Sequence, residues 1–137
     1  MESISFCFDG GCLVLIWIIQ LAVYPSFNFF SQEGLLNWHP KYTQRITYVV
    51  LPLMVGQLLL STLETIQQPG ILTVVKLLLI VLIWILTFNV FVPLHIRLDS
   101  ETEVKEPIIK KLVRKNWWRT LLWSLVFVLA VLKNFFF

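Results

Sequence analysis

Long apolar runs alternate with short polar passages from one end of the chain to the other. Four runs, at about 12–30, 46–66, 71–92 and 117–136, are long enough to cross a hydrocarbon core of ~30 Å as helices. The turn Gln67-Gln68-Pro69-Gly70 sends the chain straight back between the second and third runs. The first connection reads SQEGLLNWHPKYTQRI, and Pro40 stands where a first helical turn could begin. The third, over 92–119, is the one long polar passage. In it Val104, Ile108, Ile109, Leu112 and Val113 keep helical period while lysines take the other face, the pattern of an amphipathic interfacial helix. It starts near Pro107 and can run straight into the fourth span. The pattern predicts an all-α, antiparallel bundle of four transmembrane helices.

Composition removes the alternatives. With 58% hydrophobic and 14% charged residues, 137 residues hold four spans and no soluble domain. Residues 1–9 carry Glu2 and Asp9 and no Lys or Arg, unlike a removable signal peptide, so the first span is expected to stay. Nine of the eleven Lys and Arg residues fall in the first and third connections or beside them. By the positive-inside rule these connections face the cytoplasm and both termini lie outside. The expected location is the bacterial cytoplasmic (inner) membrane. The net charge of +3 then concerns topology and anionic headgroups, and no nucleic acid partner is called for. Cys7 and Cys12 permit a disulfide at the outer end of span one, or are simply small apolar residues.

The polar residues inside the spans are the candidates for chemistry, because lipid-facing polar groups are costly. Gln20, Tyr24 and Asn28 share a stripe at i, i+4, i+8, with Pro25 expected to bend the helix. His39, Tyr42 and Arg45 follow at steps of three, Asn89 precedes Pro93 and His95, and Asn116, Arg119 and Trp123 line up in the last span. Tyr24, Asn28, His39, Tyr42, Arg45, Asn89, His95, Asn116 and Arg119 thus gather at one membrane face as candidate ligand-binding residues, with Arg97 nearby. Hydrogen bonding between helices, or snorkelling of Trp38, Tyr42 and Arg45 to the headgroups, would account for several of them structurally. Glu64 and Lys76 lie about equally far from the tight turn, so an interhelical ion pair is expected between them.

Two cationic arginines with Asn and Tyr donors suit the enolate, phenolate or carboxylate of a lipophilic small molecule arriving from the bilayer. His39 and His95 with a carboxylate such as Glu33 could hold a metal, and the two histidines alone a haem iron, although no HxxxH or ExxH spacing is present. A non-catalytic accessory or assembly subunit of a larger membrane complex, or a homo-oligomer, is the competing class, since so little mass lies outside the membrane.

Several short motifs carry a resemblance: Tyr24-Pro25, W-H-x-x-Y-x-x-R-I from Trp38, V-P-L-H-I-R-L from Val92, and N-W-W-R-T-L-L-W from Asn116. Together they resemble the small four-helix integral membrane proteins grouped with fungal anthrone oxygenases. His95 stands near where many of those proteins have an Asn. The resemblance implies cofactor-free oxygen chemistry on an electron-rich ring. A second likeness, in YVVLPLM from Tyr48 with Gly56 and in KLLLI from Lys76, is to the small haem-binding protoporphyrinogen oxidase of bacteria. The ligand His in helix one of that family has no counterpart in this chain.

Overall fold

The computed structural model describes residues 2–136. Four helices, each long and apolar enough to cross a membrane, form it: α1 (Glu2–Phe29), α2 (Gln32–Gln67), α3 (Ile71–Leu98) and α4 (Lys105–Phe136). They run up and down in chain order, each packing on its chain neighbours, with α4 closing on α1. Apolar side chains such as Val14, Leu21, Leu59, Leu78 and Leu121 cover the outside. With no hydrophobic drive between helices in lipid, close approach matters more than area. A Cβ on Gly56 would fall 2.1 Å from the ring of Phe8, so α1 meets α2 through a phenyl ring laid on bare backbone.

The helices overrun the predicted spans. α1 begins at Glu2 instead of near residue 12, and α2 begins at Gln32 instead of near residue 46, with Pro40 inside it instead of in its first turn. The start of α2 is set by Ser31, whose hydroxyl accepts the Gly34 N–H at 3.0 Å. At 36 residues α2 is about 54 Å long and must project beyond the hydrocarbon. The amphipathic stretch is the first part of α4, which continues unbroken into the span. Its apolar face, with Ile108, Ile109 and Leu112, is buried.

The early start of α1 has an electrostatic cause. Asp9 is fully buried, and its carboxylate lies 2.6 Å from the ammonium of Lys76, which also pairs with Glu64 at 3.0 Å. Lys133 in α4 binds the other oxygen of Glu64 and reaches Glu2 at 3.5 Å. The expected Glu64–Lys76 pair is therefore part of a network joining all four helices, with Ser5 bonded to both members. Cys7 is exposed and Cys12 buried, and both are free thiols.

Breaking one partner out of a buried ion pair costs about 3–5 kcal/mol. Lys76→Met should accordingly unfold the detergent-solubilised protein at a markedly lower temperature. Because Glu64 keeps Lys133 whereas Asp9 loses its only cation, Asp9→Asn should rescue Lys76→Met better than Glu64→Gln does. Equal rescue by the two would refute this division of the network.

Candidate functional site

Two prolines shape the site. Proline lacks an N–H and its ring clashes with the carbonyl four residues back. Just ahead of Pro25 and Pro93 the helix widens into a π-turn, Ile19–Val23 in α1 and Thr87–Phe91 in α3. Tyr24 N–H reaches back five residues to Ile19 and Val92 N–H five residues to Thr87. π-turns often mark functional sites. Here each lies beside a site residue, Tyr24 in one case and His95 in the other.

Four side chains from α1, α2, α3 and the following turn are joined end to end. Asp99 Oδ1 lies 2.6 Å from His39 Nδ1, His39 Nε2 lies 2.9 Å from His95 Nδ1, and His95 Nε2 lies 3.0 Å from the Tyr24 hydroxyl. The imidazoles meet edge to edge, 5.0 Å between centroids and 17° from parallel. Phe27 stands edge-on against His39 and Tyr42 and closes the back of the chain. His39 is wholly buried, whereas the Asp99 side chain is 36% exposed.

Tyr24 and His95 line a cavity of about 300 Å³ together with Tyr42, Phe91, Asp99 and Arg119. Its walls are Thr43, Ile46, Thr47 and Val50 of α2 and Thr87, Val92 and Ile96 of α3. Thr47, Val92 and Ile96 are exposed on the outer surface, so the cavity opens sideways between α2 and α3. A wider hollow at the opposite end, lined by Glu2, Lys133 and the α2–α3 turn, holds no such chain of groups.

Arg119 is 4% exposed. Its guanidinium lies over the rings of Phe91 and Trp123, at 4.4 and 5.1 Å, and its Nε has no hydrogen-bond partner. Among the described residues no carboxylate pairs with it. Trp123 also donates its indole N–H to Gln57 Oε1 at 2.9 Å, and Gln57 donates to Asp9 at 2.9 Å. Polar groups thus run from Asp99 at one end of the bundle to the ion network at the other.

The expected site residues separate into two sets. Tyr24, Tyr42, His95 and Arg119 line the cavity, and His39 lies directly behind His95. Asn116 is buried but is held by Gln20, to whose Oε1 it donates at 2.9 Å, and it fastens α4 to α1. Three residues face elsewhere. Asn28 is exposed because α1 has already tightened into the 3₁₀ turn Phe27–Phe29 beyond a π-turn, which breaks the i, i+4, i+8 stripe. Asn89 sits within the second π-turn and donates at 3.0 Å to the Ile85 carbonyl. Arg45 is exposed with its guanidinium 5.9 Å from the Trp38 ring centroid, since each step of three falls about 60° short of a full turn and leaves it about 120° from His39.

Asp99 is the residue that the sequence reading passed over. Its signal was present: an acid at i+4 from His95, at the C-terminal end of a helix. Next to it the turn is closed by Arg97, whose fork grips Glu103 at 3.1 and 3.2 Å and holds that carboxyl below its usual range. All four imidazole nitrogens are engaged within the chain, and Glu33 is exposed. Among the described residues no group of three or more His, Cys, Asp or Glu side chains is arranged to hold a metal ion.

No protein-family model matches the chain, and neither a curated protein nor a solved structure is similar to it.

Asn116→Ala should lower stability by roughly 1–3 kcal/mol, because Gln20 loses a buried donor. Asn28→Ala and Asn89→Ala, on exposed positions, should stay within about 0.5 kcal/mol. Thermal unfolding in detergent decides between them, and a silent Asn116→Ala would contradict its fastening role.

Proposed function

We propose that this protein binds a lipophilic acid, an enol, phenol or carboxylic acid, taken sideways from the bilayer into the cavity between α2 and α3. The carrying observation is Arg119: a permanent charge buried in an aromatic cage, lining a cavity, with no carboxylate paired to it. A guanidinium so placed is stabilised by an anion whose apolar body fits among Ile19, Ile46, Val50 and Phe91. Tyr24 supplies the hydrogen-bonding partner for the ligand oxygen, its own hydroxyl held by His95. Under this reading the oxygen chemistry implied by the anthrone oxygenase-like motifs acts on a ring held as its enolate. The engaged imidazoles favour this reading over a haem or metal centre.

The basic end of the bundle carries nine of the eleven Lys and Arg residues, which supports a cytoplasmic position for it, with both termini outside. In a Cys7→Ser background, a cysteine replacing Lys110 should escape an impermeant maleimide added to intact cells, and one replacing Gln68 should react. The reverse pattern would invert the topology.

The binding reading is tested on the purified protein in detergent with 2-naphthol, followed by its fluorescence. Arg119→Lys should weaken binding about tenfold or more, since an ammonium lacks the planar fork, while the unfolding temperature changes little. Unchanged affinity in Arg119→Lys would remove the guanidinium from the site. No binding by the unaltered protein would leave the accessory-subunit class as the better reading.

A further inference from the structure

The chain Asp99–His39–His95–Tyr24 has a property that binding alone does not use. An ionised Asp99 can only accept, so His39 Nδ1 must donate to it. In a neutral His39 the other nitrogen, Nε2, is then an acceptor and takes the N–H of His95 Nδ1. That leaves His95 Nε2 to accept from the Tyr24 hydroxyl, and Tyr24 itself lines the cavity beside Arg119. Every donor points toward Asp99. If His39 instead carries a second proton, every link between His39 and Tyr24 reverses. His39 Nε2 donates to His95 Nδ1, His95 Nε2 donates to the Tyr24 oxygen, and the Tyr24 hydroxyl turns into the cavity as a donor.

These two arrangements differ by one proton, and one concerted shift interconverts them. We propose that the cavity is a deprotonation site: the hydroxyl of a bound lipophilic acid gives its proton to Tyr24, and the relay delivers one proton to His39 and then through Asp99 to water. The step balances. The ligand O–H bond breaks and a new O–H forms on Tyr24, whose own proton passes to His95 Nε2. The proton on His95 Nδ1 passes to His39 Nε2. His39 is left doubly protonated against the Asp99 carboxylate, and the ligand is left as an oxyanion beside Arg119. No electrons are transferred.

The burial pattern fits this direction. Tyr24 and His39 are buried while the Asp99 side chain is 36% exposed, so Asp99 is the member of the relay open to exchange its proton. The remaining ionisable groups around the relay are Tyr42 on α2, Arg119 on α4 and, beside Asp99, the mutually paired Arg97 and Glu103. Of the groups on the cavity side Arg119 carries a charge at neutral pH, and it favours the ligand anion. In this scheme Tyr24 takes the ligand proton, and His39 and Asp99 draw it onward, Asp99 also forming part of the cavity lining.

The inference rests on the binding reading, and 2-naphthol separates the two because the neutral and ionised forms absorb differently. The full-length protein in detergent is mixed with 2-naphthol in weak buffer at neutral pH, where the free compound is un-ionised, and a pH-indicator dye reports protons released. Bound naphthol should show the naphtholate spectrum, with about one proton released per molecule bound. Asp99→Asn, a same-shape change at a half-open position, should bind more weakly, hold the neutral form and release under a tenth as many protons. His39→Gln should do the same, while Asn28→Ala should match the unaltered protein. Naphthol bound in its neutral form by the unaltered protein would overturn the relay and leave the binding site standing. Naphtholate formation persisting in both Asp99→Asn and His39→Gln would overturn it as well. No binding at all would overturn the site and the relay together.

Discussion

Charge must balance inside hydrocarbon, and this bundle is built around that requirement. At the end bearing the termini the balance is internal: Lys76 and Lys133 offset Asp9 and Glu64, one pair of residues from each half of the chain. That network fixes the order and depth of all four helices, since Asp9, Glu64, Lys76 and Lys133 come from α1, α2, α3 and α4 in turn. At the other end the balance is incomplete. Arg119 has aromatic faces and no paired carboxylate, while Asp99, on the same cavity, is held by His39. The same electrostatic rule is met by paired charges in one half and by aromatic faces in the other.

The backbone supports the division. Away from the site the helices are regular, and the close contacts are simple ones such as Phe8 on Gly56. At the site both Pro25 and Pro93 force an extra residue into a helical turn, in two helices that bracket the cavity. An inserted residue changes which way every later side chain points. The turns thereby bring Tyr24 and His95, from separate helices, within 3.0 Å of each other.

Much of this was legible in the sequence, and the failures have physical causes. Hydropathy showed four spans because apolar length is a local property. The Glu64–Lys76 contact was legible because an antiparallel hairpin fixes level from the turn outward. Asp9 and Lys133 were not, as their partners depend on how α1 and α4 pack, which no local pattern encodes. Tyr24, His39, Tyr42, His95 and Arg119 share a membrane depth and lie near one another, but depth says nothing about direction around a helix. Arg45 lost its place to drift of the three-residue step, Asn28 and Asn89 to altered turns, and Asn116 to a nearer partner in Gln20. Asp99 was overlooked because it lies in a charged turn, where one more acid looks like solvated surface.

Trp123 has a consequence for how the two halves of the bundle are connected. Polar groups follow one another from Asp99 to Lys133, nearly the full depth of the bundle. An indole nitrogen can give a hydrogen bond but cannot accept one. Placed between the guanidinium of Arg119 and the amide of Gln57, Trp123 interrupts any hopping of protons from one half to the other. The two halves are thus joined at Trp123 by a ring face and a one-way donor, and not by a continuous hydrogen-bonded wire.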